Sequence, residues 1–186
     1  MVALVKRIVL FLISLFFIII LLISATRSYA NENYSWSIDK INESNVIVSM
    51  HGQIQHGDML YFYIPSSDCN TVENLFTFYT AVNNSNLDNL KSKPLPLIIN
   101  NFNTYGEIRF MFPMLMGHQV WISLGNYDLN SLVNHLSKYD NLNVEIASGD
   151  SFIPEEYFDI PSNIWSLKGL RKAIDDGKTL CLASTS

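Results

Sequence analysis

The chain has 186 residues, with 12 lysines and arginines against 17 aspartates and glutamates, a formal net charge of −5 at neutral pH. That acidic balance, with no cluster of basic residues, excludes the basic surfaces that nucleic acids and anionic lipid headgroups select. The only cysteines are Cys69 and Cys181, and neither has a second Cys or His nearby at metal-ligand spacing.

The first elements are those of an export signal. Lys6 and Arg7 precede an apolar run from Ile8 to Ile23, broken only by Ser14, and Ser28-Tyr29-Ala30 place small residues where a signal peptidase reads. The layout predicts a signal peptide over 1–30, cleaved after Ala30. A run of this length also suits a retained N-terminal anchor, which would then be the chain's one contact with a membrane. The basic flank keeps the N-terminus cytoplasmic either way. Residues 31–186 are then expected to be a single exported domain, periplasmic or secreted, large enough for a real core. Without Lys6, Arg7 and Arg27 it carries nine bases against 17 acids, a formal charge of −8. In an oxidising compartment Cys69 and Cys181 most simply form one disulfide, the alternative being two buried thiols.

From Trp36 to Leu124 the pattern is mainly β. Asn45–Met50 and Met59–Ile64 are rich in β-branched and aromatic residues and flank a turn, "HGQIQHGD", which predicts a hairpin. A strand over Leu75–Val82 precedes a polar loop, 83–93, and Pro94 and Pro96 predict that the next strand starts at an edge. Ile108, Phe110 and Phe112 alternate with Glu107, Arg109 and Met111, as on a half-buried strand. Val120, Ile122 and Leu124 share a face opposite Gln119, Trp121 and Ser123, so at least five strands are expected. The scattered asparagines, as in "INNFN", supply turn conformations.

The period then changes. Leu129, Leu132, Val133 and Leu136 fall at helical spacing behind Asp128, a candidate N-cap. Leu142, Val144 and Ile146 return to period two, and a strand around Tyr157–Ile160 is expected before the last helix. There Leu167, Leu170, Ile174, Gly177 and Cys181 form one stripe, with Ser166 as the candidate N-cap. The expected fold is therefore β-rich with two short helices: an antiparallel sandwich or barrel-like sheet with a C-terminal helix packed on it. Cys181 points into the domain, where a bond to Cys69 would staple the helix down.

"LNSLVNHLSKYDNLNVEIAS" followed by "WSLKGLRKAIDDGKTLC" resembles the end of exported proteobacterial domains of the invasion-associated locus B type. Leu167, Gly169 and Ala173 are the most specific matches, and Trp36 corresponds to an early tryptophan. The resemblance implies a small periplasmic β-domain without established catalytic residues.

Motifs for catalysis are missing: there is no G-x-S-x-G elbow, H-E-x-x-H, S-x-x-K or phosphate-binding glycine loop. His51 and His56 bracket a turn but make at most half a zinc site. Glu155–Glu156 and Asp175–Asp176 read as solvated surface. The unusual segment is "RFMFPMLMGHQ", where Met111, Met114 and Met116 precede His118. Its thioethers can fill core space, face a partner, or join His118 in holding copper(I). The expected function is a non-enzymatic domain that binds an envelope or secreted protein and carries no cofactor, with periplasmic copper binding as the alternative.

Overall fold

Nine strands, most of them with apolar residues at period two, join into one antiparallel sheet, seen in a computed structural model that describes residues 35–42, 45–55, 57–82, 86–91, 93–149 and 152–184. The segment expected to carry the export signal, and His56, lie outside the described residues. Strands β1 (Ser37–Ile41), β2 (Asn45–His51), β3 (Met59–Ile64) and β4 (Thr71–Thr80) form one meander. A second comprises β5 (Pro94–Ile99), β6 (Phe102–Met114) and β7 (Gly117–Asp128), and β8 (Asn141–Ile146) pairs with β9 (Ser162–Ser166). The strand order is β1-β2-β3-β4-β7-β6-β5-β8-β9. The sheet curls into a half-barrel, and the Gln53 amide donates to the Ile164 carbonyl at 2.8 Å, bringing the loop after β2 onto β9.

Inward side chains fill the curl. Phe62, Phe76, Phe78, Phe158 and Trp165 are fully buried, and Trp165 lies 6.1 Å from both Phe76 and Phe78. Helix α1 (Leu129–Leu136) starts as expected, with the Asp128 carboxylate accepting from the Ser131 amide at 2.8 Å. That bond also holds the Asp128 carboxyl below its usual range. Helix α2 (Leu170–Leu182) buries Leu170, Ala173, Ile174, Gly177 and Cys181. A Cβ on Gly177 would come within 2.7 Å of Val48 Cγ2, so the glycine lets the helix lie directly on β2. Cys69 and Cys181, 112 positions apart in sequence, are joined, with Cα atoms 5.9 Å apart.

Several expectations change. The strand expected at Tyr157–Ile160 is displaced to β9, after Pro161; the preceding residues form a 3-10 turn over Pro154–Glu156. Ser166 ends β9 instead of capping α2. Gly169, in the left-handed conformation at φ 79°, takes the cap position, and Leu167 lies outside the helix. The expected edge position is not found: strand β5 is internal, between β6 and β8, and although its ladder with β8 begins only at Leu97, the Pro96 carbonyl already accepts from the Ala147 amide at 2.9 Å. The "INNFN" turn behaves as read. Asn100 and Asn101 take φ of 47° and 71° between paired Ile99 and Phe102, the backbone a two-residue hairpin turn requires.

Candidate functional site

The largest departure from the expected alternation occurs on β6. A register shift between Ile108 and Phe110 inserts Arg109 as an extra residue, so the side-chain parity reverses beyond it. Ile108 remains buried and Met111 turns toward the core, whereas Phe110 and Phe112 emerge on the outer face. They meet Trp121 there: Phe110 is its cross-strand partner, and the Phe112 ring stands edge-on to it at 6.2 Å. On the other side Trp121 stacks on Tyr61 at 4.6 Å with the planes 6° apart. Burial under this stack raises the Tyr61 phenol pKa.

The hairpin tip continues the apolar surface. Met114 pairs with Gly117, leaving Leu115 and Met116 as the turn, and these two are 99% and 76% exposed. The turn is held from behind. The Tyr79 hydroxyl donates to the Met116 carbonyl at 2.6 Å, and a Cβ on Gly117 would fall 2.1 Å from the Thr80 carbonyl. Positions 110–117 carry no ionisable side chain. Arg109, just outside, is engaged by Glu73 at 3.3 Å and Glu107 at 3.8 Å.

Of the four copper-ligand candidates, Met114, Met116 and His118 line one opening of about 290 Å³ beside Ala81 and Val82. Met111 is not among them; it packs against the core. His118 Nδ1 is buried without a hydrogen-bond partner. Core filling, one of the readings of this methionine segment, therefore holds for Met111 and fails for Met114 and Met116. Among the described residues no three His, Cys, Asp or Glu side chains gather as a metal-binding group.

In the sequence, Asp58 reads as an ordinary residue of the turn between β2 and β3. The structure places it at the seam where the loop after β2 meets β9, with no exposed surface. Its Oδ1 accepts from the Tyr79 amide at 2.7 Å and its Oδ2 from Asn163 Nδ2 at 2.9 Å. Asn163 also donates to the Gln55 carbonyl and accepts from the Ile54 and Ile164 amides. Desolvation outweighs these bonds and, with Asp159 nearby, pushes the Asp58 pKa up to about 6.

A separate groove of about 400 Å³ opens between α1 and the sheet end that carries the β5–β6 turn. Leu136 and Leu142 form its base, with Phe102, Leu132, Tyr127 and Tyr139 around them. Comparison of the chain with protein-family models, curated proteins and solved structures finds no match.

Proposed function

We propose that this chain is an exported, non-enzymatic binding domain of the periplasm or extracellular space that docks a protein partner through the β6–β7 hairpin. The observation that carries the reading is the contiguous exposed patch of Phe110, Phe112, Met114, Leu115 and Met116. Exposed apolar patches of this kind are costly in water and mark interaction surfaces, and exposed methionines suit an adaptable contact. The patch is rigidly backed by the Tyr61–Trp121 stack, so little ordering entropy opposes docking. A protein with an uncharged, apolar groove fits it better than a membrane does, because the acidic domain is repelled by anionic lipid. The Cys69–Cys181 bond fits an oxidising compartment. Asp58, the carboxyl with the raised pKa, is sealed from solvent and has no route to a substrate.

A photo-crosslinking residue at Leu115 in living cells tests the reading. One protein adduct is expected, lost in Phe110→Ser/Phe112→Ser protein that still folds. Adducts to phospholipid alone, or none at all, reject it.

A second reading rests on the opening lined by Met114, Met116 and His118, the last with an Nδ1 that has no hydrogen-bond partner. Those ligand types suit copper(I). Met114→Leu/Met116→Leu, which changes packing by less than about 1.5 kcal/mol per site, is expected to abolish copper(I) binding in a chelator competition. Wild-type protein that binds no copper(I) ends this alternative.

A further inference from the structure

We propose that the groove between α1 and the β5–β7 end of the sheet is a binding site for a small, uncharged, mainly apolar molecule: a medium-chain aliphatic body with one neutral hydrogen-bonding end. The site lies apart from the hairpin patch and does not depend on it.

The groove's volume of about 400 Å³ falls within the roughly 300–1,000 Å³ of small-molecule sites. Its apolar surfaces come from a helix and a sheet that the sequence builds separately. Leu132 and Leu136 lie on one face of α1, while Leu142, on β8, and Ile99, on β5, belong to the sheet. Phe102, 66% exposed, stands at the rim directly after the Asn100-Asn101 turn. The turn is itself fixed, because Asn100 Oδ1 accepts from the Asn143 amide at 2.8 Å and its Nδ2 donates to the Asn141 carbonyl.

The lining also specifies charge. No lysine, arginine, aspartate or glutamate contributes to it, although the exported domain carries a formal charge of −8. An ionised ligand would therefore lose hydration without gaining a counter-charge from any lysine, arginine or carboxylate. Apart from His135, the polar side chains present are amides and hydroxyls. The Tyr127 hydroxyl is spent on the Leu124 carbonyl at 2.7 Å, and partial burial raises its phenol pKa. Asn74, almost wholly buried, commits its Nδ2 to the Tyr61 carbonyl. Asn103 and His135 remain on the lining to meet a hydroxyl or carbonyl.

The probe is N-phenyl-1-naphthylamine, a neutral apolar fluorophore, titrated into the natively exported protein. Saturable one-site enhancement is expected, displaced by decanol at least tenfold more effectively than by decanoate. Leu132→Glu, which sets a carboxylate on the groove wall, and Phe102→Ser, which strips the rim, are each expected to weaken probe binding tenfold or more. Phe110→Ser/Phe112→Ser leaves it unchanged. Circular dichroism and the thermal midpoint verify folding. Should Leu132→Glu unfold the protein, the exposed Phe102 position decides. No saturable binding, unaltered affinity in Phe102→Ser, equal competition by decanoate, or loss of the signal in the hairpin variant overturns the assignment.

Discussion

Asp58 closes the turn after β2, and Asn163, 105 positions later, covers it. Its folded pKa of about 6 exceeds the roughly 3.9 of an unfolded aspartate, so the folded chain binds more protons across that window. The contribution of this carboxyl to stability is therefore full below about pH 4 and lost as pH rises through 6, a swing of about 3 kcal/mol. Asp159 adds to the upward shift, while the Tyr79 amide and Asn163 oppose it. Urea midpoints measured from pH 4 to 7 are expected to fall in wild type relative to Asp58→Asn, since the remaining groups titrate alike in both. Parallel curves would show that Asp58 is not the titrating group. Asn163→Ala removes the donor that faces this carboxylate and the acceptor for two amides. A loss of about 2–4 kcal/mol follows from the unsatisfied buried groups, with faster hydrogen exchange at Ile54 and Ile164.

Helix α2 sits on the sheet at a distance set by Gly177. Alanine there gains about 1 kcal/mol of helix propensity but drives a methyl into Val48, which is fully buried. Overpacking of this kind costs about 1–3 kcal/mol, so Gly177→Ala is expected to destabilise, and Val48→Ala to recover part of the loss in a double-mutant cycle. Additive effects would mean that the helix simply shifts outward. The same element carries Cys181, and Cys181→Ser is expected to cost about 2–5 kcal/mol, with trypsin cutting first after Lys168 or Arg171. This helix was legible because its contacts repeat at steps of three and four, and the β2–β3 hairpin and α1 were legible for similarly local reasons. Strand β1 was missed because its residues Ser37–Ile41 are mostly exposed and lack an apolar face. The faces of β6 were misread because one bulged residue, Arg109, reverses a period-two pattern without leaving a turn signal. That reversal also hid the share of Phe110 and Phe112 in the hairpin patch, since both look like core in the sequence; facing a partner was one of the readings of the methionines beside them. The buried state of Asp58 was invisible for a different cause: the strand that seals it arrives from the far end of the chain.

At the scale of the whole molecule, the curl of the sheet is closed by contacts that are remote in sequence. Each meander can pair locally, but the Asp58–Asn163 seam joins positions 105 residues apart, and such closure is entropically slow. The disulfide shortens that path. Asp58 lies 11 residues before Cys69 and Asn163 lies 18 before Cys181, so the route through the Cys69–Cys181 bond is 29 residues. Loop-closure entropy then favours the oxidised chain by about 1 kcal/mol at the seam, roughly sevenfold in rate if the seam forms before the folding barrier. The staple thus acts on assembly as well as on the anchored helix. Refolding of the oxidised protein is expected to be several-fold faster than that of Cys69→Ser/Cys181→Ser, measured by stopped-flow tryptophan fluorescence with the disulfide intact throughout in the former. Equal refolding rates, with the whole difference in unfolding, would place seam closure after the barrier and remove the kinetic role of the bond.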